Sequence, residues 1–304
     1  GATPAKLWTQ MKFFQILLII LASSLVAFLA ARQFPTQSAS TTPEKESTYA
    51  RVLRTGEIRC AYAVYEPPLI KNPNTGQLSG IFYDVMEEAG RRLNLKIRWV
   101  EEVGYGTIAE GFVADRYDAF CNAVWPTPER SRGADFTIPL YYSPVDVIVR
   151  ADDHRFDGDL TKLNDPAYTF AVKDGDVSAS FAAQVFPRAH TVSIPDMADT
   201  SQLLVDLVHN KADAVISSPE LMENFLGKNP GTVRDITPDH PINTPPNTIM
   251  IKPDQHQFKV MLDVTLQGLL SSGFVDAALE KYRDYHPAFL RVAPPYQPRS
   301  AGRP

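Results

Sequence analysis

The sequence predicts an α/β protein built as two lobes with a cleft between them. Strand-like and helical runs alternate from Glu57 onward, the alternation falls into two successive sets, and the segments "DVIVRADD" and "NTIMIKPD" join them. With 304 residues, 44% of them hydrophobic and 21% charged, the chain can bury a core for each of two compact units.

In the first set "EIRCAYAV" reads as a strand, followed by the helix "GIFYDVMEEAGRRL", in which Ile81, Val85, Ala89 and Leu93 recur at every fourth position. "KIRWV" is the next strand, with Ile97 and Trp99 on one face. "TIAEGFVADR" is a short helix, and "YDAFCNAV" a third strand. The second set begins after "DVIVRADD": strand "YTFAV", helix "DVSASFAAQVF", strand "TVSI", helix "TSQLLVDLVHN" capped by Thr200 or Ser201, and strand "ADAVIS". The following helix has Ser218 as its N-cap, Pro219 at its first position and Gly227 beyond its end. "NTIMIKPD" is an isolated strand, and two helices follow it around Gly273. A chain that crosses twice between lobes makes a hinge, and clefts outside the carboxyl ends of parallel strands are where such folds hold small molecules.

The formal net charge is −5 and no long basic run occurs, which excludes an electrostatic footprint for nucleic acid. Cys60 and Cys121 are the only cysteines. Both lie in apolar strand-like runs, the usual setting of a small buried hydrophobe; a disulfide between them is conceivable if the strands are neighbours. The six histidines show no ligand-like spacing, so no metal site and no cofactor is expected. "GYGTIA" fits the pattern G-x-G-x-x-A, but it follows the second strand and no strand-end acid stands about 20 residues on, so it is not read as a dinucleotide site.

Residues 1–34 read as a membrane anchor or a signal sequence. About 19 mostly apolar residues run from Phe13 to Ala31 behind Lys6 and Lys12, enough to span a bilayer with the N-terminus in the cytoplasm. The apolar core is longer than that of an ordinary signal peptide and no clean small-x-small site precedes Arg32, which favours an uncleaved anchor; either reading exports the rest of the chain. Residues 35–47, rich in Ser, Thr and Pro, read as a flexible linker, and 291–304 as a disordered tail.

"NAVWPTPERSRGADFTIPLYYSP" carries the most chemistry. An apolar strand runs into two prolines, an arginine-bearing turn and a tyrosine pair, more than a chain reversal needs. Thr127 can cap a turn that Pro128 opens, and Arg130 offers a planar guanidinium suited to a carboxylate; in an exposed turn it would pair instead with Glu129 or Asp135.

From about Arg51 to Tyr285 the chain resembles the bacterial extracellular solute-binding proteins of family 3, the polar amino acid type. "YEPPL", "GIFYDVMEEAGRRLNLKIRWV", "TPERSRGADFTIPLYYSP", "ADAVISSPE" and "SSGFVDAALEKY" occur in the family's order. The resemblance implies the type II periplasmic binding fold shared with ionotropic glutamate receptor cores. Lobe 1 would span 48–146 plus 249–290, and lobe 2 would be 147–248.

The same resemblance implies site roles. Arg130 would hold a ligand's carboxylate, with Tyr105 packing on the ligand and Tyr65 and Glu66 in the loop that supplies a second contact. Lys173 and Asp176, in "AVKDGDVS", would close over the charged end, although Asp176 is also a natural helix cap. Ser218 stands where relatives keep an Asp for an α-ammonium group, and Trp125 replaces a common Thr. Either Asp176 or Glu66 takes over the missing anion, or the ligand has no amino group.

The expected function is capture of a small anionic or zwitterionic solute outside the cytoplasmic membrane, for delivery to an ABC-type permease. No catalytic motif is present. A dehydratase on the same fold, using Glu66 or Asp176 as an acid, is the enzyme alternative, and a membrane-tethered sensor subunit is the third.

Overall fold

The computed structural model describes residues 46–282, 284 and 289–291. The expected anchor or signal, the linker up to residue 45 and the tail beyond 291 lie outside the described residues. Among the described residues, no helix is long and apolar enough to cross a membrane.

The first helix, Thr48–Thr55, starts where the Ser47 side chain accepts from the Ala50 amide and ends at Gly56 in the left-handed region. The strands follow as β1 (Glu57–Tyr62), β2 (Ile70–Lys71), β3 (Leu78–Ser79), β4 (Lys96–Glu102), β5 (Ala119–Val124), β6 (Asp135–Phe136) and β7 (Tyr141–Tyr142). Then come β8 (Asp146–Arg150), β9 (Thr169–Lys173), β10 (His190–Ile194), β11 (Ala214–Ser217), β12 (Val233–Asp235) and β13 (Pro246–Ile251). They form two main sheets, ordered β4-β1-β5-β13-β6 and β10-β9-β11-β8-β12, beside the small hairpin β2-β3; β7 also pairs with β13.

Each sheet is the middle layer of a lobe, because helices bury both of its faces. On the first sheet, helices Ile81–Leu93, His256–Ser271 and Phe274–Glu280 contribute Phe82, Met86, Phe258, Leu262 and Leu279 to one core, while Ile108 and Phe112 of the helix Ile108–Val113 cover the other face. On the second, the helix Ser178–Val185 packs Phe181 on one face, and helices Gln202–Val208 and Pro219–Leu226 pack Leu204, Leu207 and Phe225 on the other. Strands covered on both faces should read as apolar runs rather than alternations, and β5 and β11 are buried along their whole length.

The "NTIMIKPD" strand is not isolated. As β13 it lies antiparallel between β5 and the pair β6 and β7, and its Ile249, Met250 and Ile251 are buried. The chain therefore leaves the first sheet after Tyr142 and returns to it at Pro246. Its two crossings run side by side, with a bridge between Val145 and Asn243.

Cys60 and Cys121 are bonded to each other, with Cα atoms 5.4 Å apart on the neighbouring parallel strands β1 and β5, and both are fully buried. The reading of them as separate small hydrophobes is corrected: adjacency of the two strands brings the sulfurs together, which no spacing in the sequence reveals. The bridge ties residues 61 positions apart and so restricts the unfolded chain. Replacing both cysteines by alanine is expected to lower unfolding free energy by about 2–4 kcal/mol, measured by urea titration. An unchanged midpoint and slope would show that the bridge adds nothing to stability.

Candidate functional site

The parallel strands of both lobes point their carboxyl ends at the space between the sheets, and the chemistry-bearing residues sit on the loops just beyond those ends. Tyr65 follows β1, Tyr105 follows β4, Trp125 and Arg130 follow β5, Asp176 follows β9, and Ser218 with Glu220 follows β11. Here the lobes enclose a cavity of about 50 Å³, lined by Tyr65, Tyr105, Trp125, Arg130, Asp176 and Glu220 among others. Beside it lies a wider cleft of about 520 Å³ that shares Tyr65, Tyr105, Lys173 and Thr200 as walls. The inner space has room for only a few waters, so a larger guest has to displace some of the contacts that now fill it.

Arg130 begins a short 3₁₀ turn, Arg130–Arg132. The turn is held as its sequence predicts, with the Arg130 amide donating to the Thr127 hydroxyl at 3.2 Å. The guanidinium donates through Nη1 to the Trp125 carbonyl (3.1 Å) and through Nη2 to the Gly175 carbonyl (3.2 Å), reaching from lobe 1 to lobe 2. Its carbon stands 5.8 Å from the centroid of the Tyr105 ring. Among the described residues no carboxylate forms an ion pair with it, so the alternative pairing with Glu129 or Asp135 is not made. Burial pulls its pKa below the usual arginine value, against the opposing pull of the Asp176 and Asp196 charges.

The tyrosines and the tryptophan form the walls. Tyr105 donates to the Ala123 carbonyl (3.1 Å) and packs edge-on against Phe120. Tyr65 reaches across to lobe 2, where its hydroxyl lies 2.9 Å from Ser218 Oγ. Trp125 donates from Nε1 to Asn247 Oδ1 (3.0 Å), and its ring lies 6.0 Å from that of Phe181 in the other lobe. Asn247 in turn donates to the Ser143 hydroxyl at 2.8 Å, so Trp125 is linked through β13 to the first crossing. Burial raises the pKa of Tyr65 and of Tyr105, keeping both hydroxyls protonated and neutral.

In lobe 2, Lys173 is buried, and its ammonium donates to the Ala198 carbonyl (2.8 Å) and the Thr200 hydroxyl (3.2 Å); burial lowers its pKa. Thr200 is thus a partner of Lys173 rather than a cap. The helix Gln202–Val208 has Ser201 at its N-cap without a side-chain bond, while Asp199 accepts from the Ser201 amide at 2.8 Å. Asp176 both lines the cavity and accepts from the Ser178 amide at 2.8 Å, at the start of the helix Ser178–Val185. Ser218 holds the N-cap position of the helix Pro219–Leu226, but its side chain makes no capping bond because the Tyr65 hydroxyl engages it instead. Glu66 is exposed and borders the outer cleft, apart from the inner cavity that gathers Tyr65, Tyr105, Trp125, Arg130, Lys173 and Asp176; Ser218 does not line that cavity either.

Sequence reasoning missed Glu220 and Asp196. Glu220 reads locally as an ordinary acid in the first turn of a helix, yet it is 2% exposed, it lines the cavity, and its Oε2 has no hydrogen-bond partner. Burial raises its pKa to about 7, against the lowering influence of the Ser218 and Tyr65 hydroxyls. Asp196, beyond β10, accepts from the Gly106 amide at 3.1 Å and so bridges the lobes. Only glycines fit at this contact. A Cβ on Gly104 would overlap Asp196, and one on Gly175 would stand 2.3 Å from Gly106 Cα. Among the described residues no cluster of His, Cys, Asp and Glu could hold a metal ion.

Residues 58–285 match the bacterial extracellular solute-binding proteins, family 3. The cyclohexadienyl dehydratase of Pseudomonas aeruginosa is 23% identical over 79% of this chain and 88% of its own length. A probable histidine-binding protein of Campylobacter jejuni is 24% identical over 52% of this chain and 58% of its own. Among solved structures, the same fold is found in an ancestral amino acid-binding protein described as a precursor of cyclohexadienyl dehydratase (TM-score 0.67, 20% identity, 78% of this chain and 99% of that one). It is also found in an amino acid ABC transporter substrate-binding protein of Streptococcus pneumoniae bound to L-arginine (TM-score 0.66, 19% identity, 79% and 99%). By sequence match and by fold, the chain belongs to the bacterial extracellular solute-binding proteins, family 3.

Proposed function

We propose that this protein captures a small carboxylate-bearing solute, an amino acid or a related organic anion, between its lobes outside the cytoplasmic membrane and hands it to an ABC-type permease. The observation that carries the reading is Arg130, a guanidinium bonded only to two carbonyls, one from each lobe, at the wall of the cavity. Two carbonyls are weak partners for a bidentate cation, and an entering carboxylate is a better one. Names of relatives agree, since two are described as histidine- and arginine-binding. The buried disulfide suits an oxidising compartment, as an extracytoplasmic protein requires. The N-terminal apolar segment would export or tether the chain.

Capture works by a hinge at the side-by-side crossings, residues 143–145 and 243–245, with lobe 1 as 48–146 plus 249–290 and lobe 2 as 147–248. Opening breaks the Arg130–Gly175, Tyr65–Ser218 and Gly106–Asp196 bonds; closure on a ligand replaces the first with ligand contacts. Differential affinity for the closed form then drives closure. Tyr105 and Trp125 supply flat walls, and Lys173 and Asp176 border the lobe 2 side.

A second reading, a dehydratase acting on a cyclohexadienyl carboxylate, is supported by the buried Glu220. An acid still half protonated near pH 7 can give a proton to a leaving hydroxyl, which departs as water while the ring carboxylate leaves as carbon dioxide and its bonding pair makes the ring aromatic. Incubation with prephenate, followed by ultraviolet absorbance, separates the readings. Capture predicts no turnover, and catalytic turnover would establish the enzyme.

Calorimetry against a panel of amino acids and organic acids tests the role of Arg130. For a ligand that binds the wild type, Arg130→Ala is expected to cost about 1.5–3 kcal/mol or more, and Arg130→Lys less. A loss under about 0.5 kcal/mol would remove Arg130 from the site. Gly175→Ala tests the hinge: Gly175 has φ +72°, and its new methyl would meet Gly106 backbone, so the lobes must separate. Small-angle scattering should then give a larger radius of gyration than the wild type, whereas an unchanged value would contradict lobe contact at this point.

A further inference from the structure

Two acids, one buried and one half-buried, stand where the chain passes between the sheets, and neither borders the cavity or the outer cleft. Asp146 is the first residue of β8, directly after Val145 of the first crossing, and is 2% exposed. Asp235 ends β12, the edge strand beside β8, two residues before Thr237 on the way to the second crossing. The Thr237 hydroxyl, itself buried, stands 3.2 Å from Asp146 Oδ1 and 3.2 Å from Asp235 Oδ1, and it accepts from the Val147 amide at 2.9 Å.

A hydroxyl has one proton to give and two lone pairs to offer. The Val147 amide takes one lone pair, which leaves one lone pair and one proton for two carboxyl groups. With both acids ionised, only one of them is bonded, and the other turns a bare oxygen toward the hydroxyl oxygen. One proton on the pair completes the set: the protonated carboxyl donates to the hydroxyl, and the hydroxyl donates to the ionised partner. Asp235 Oδ1 also accepts from the Thr237 amide at 2.7 Å, so Asp235 is the better-bonded anion and Asp146 the acid that keeps the proton.

The titratable groups that face the pair are Glu220, from the helix after β11, and Asp239, beyond Thr237. Both are acids, and Ser217, opposite Asp146 on β11, does not titrate. Among the described residues neither Asp146 nor Asp235 forms an ion pair. Burial, with the Asp235 charge added to it, pushes the Asp146 carboxyl up to about 7, and burial raises Asp235 as well.

We propose that Asp146, Thr237 and Asp235 form a one-proton clasp that fastens both crossings to the second sheet and releases in mildly alkaline surroundings, a pH-sensitive device in the connection between the lobes. It goes beyond solute capture and does not depend on what the cleft binds. Asp146 stands between Val145, whose amide and carbonyl bond the second crossing at Asn243 and Ile242, and Val147, whose amide the clasp holds. Losing the proton sets two negative charges about one hydroxyl and loosens the strand ends at which the chain crosses. An acid whose pKa is raised in the folded chain adds stability that is complete below the ordinary aspartate range and is lost as pH climbs through about 7.

Carbon-13 NMR of the aspartate carboxyl groups in the full chain, followed from pH 4 to pH 9, tests the clasp. One aspartate is expected to titrate near pH 7 and to be missing from the spectrum of Asp146→Asn, in which Asp235 titrates at lower pH. By urea titration the wild-type folding constant should fall at least tenfold relative to that of Asp146→Asn between pH 5 and pH 8. Over the same range the protection of the Val147 amide from hydrogen exchange should drop in the wild type and hold in the variant. Wild-type aspartates that all titrate below pH 5 overturn the shared proton, whether or not the variant folds. A titration near neutrality that survives in Asp146→Asn, or one that leaves the stability ratio and the Val147 protection unchanged, overturns the clasp, and each of these outcomes leaves solute capture standing.

Discussion

The placement of β13 is the constraint on which the rest of the structure depends. Pro246–Ile251 enters the first sheet antiparallel between β5 and the short strands β6 and β7. Its buried Ile249, Met250 and Ile251 each contribute about 1.5–3 kcal/mol that would be lost if the strand stayed in water. Because the strand that completes the first sheet lies so late in the chain, everything between Ser143 and Pro245 is an insertion. An insertion needs two crossings, and here the two crossings pair with each other through Val145 and Asn243. The second lobe hangs from that pair, and the gap beside it is where the parallel strands of both lobes end.

The convergence of strand ends explains why the site mixes charges that would not be tolerated elsewhere. Loops after β1, β4 and β5 bring Tyr65, Tyr105 and Arg130, the loop after β9 brings Asp176, and the first turn of the helix after β11 brings Glu220. Burial works against both kinds of charge, lowering the pKa of Arg130 and Lys173 and raising that of Glu220. Lys173 is offset locally by a carbonyl and a hydroxyl, whereas Arg130 has only carbonyls and Glu220 has an unmet oxygen. Polar groups left this way in a native interior are strain that a guest molecule can relieve. The site is therefore left with unmet polar groups, which is what the proposed capture of a charged solute would use.

The layered fold was legible because burial on both faces of a sheet writes itself into sequence as apolar runs between amphipathic helices. Where the register is local, the reading held: the turn opened by Thr127 and Pro128, the helix from Ile81 to Leu93, and Pro219 at a helix start between Ser218 and Gly227. Long-range partners were not legible. The Cys60–Cys121 bond depends on β1 and β5 being neighbours, the engagement of Ser218 depends on a tyrosine 153 positions away, and β13 looks solitary until its partners are known. Glu220 was hidden for a different reason. An acid in the first turn of a helix is so common that its local setting carries no signal, and only three-dimensional burial separates it from a surface residue.

The central claim is that the lobes grip one small charged guest through the Arg130 guanidinium. A crystal structure grown with an amino acid that binds in solution tests it most directly. The account predicts the guest between the two sheets, its carboxylate within hydrogen-bond distance of Arg130 Nη1 and Nη2, and the bond to the Gly175 carbonyl exchanged for it. A guest lodged elsewhere, or one in the cleft with Arg130 still bonded only to the Trp125 and Gly175 carbonyls, would contradict it.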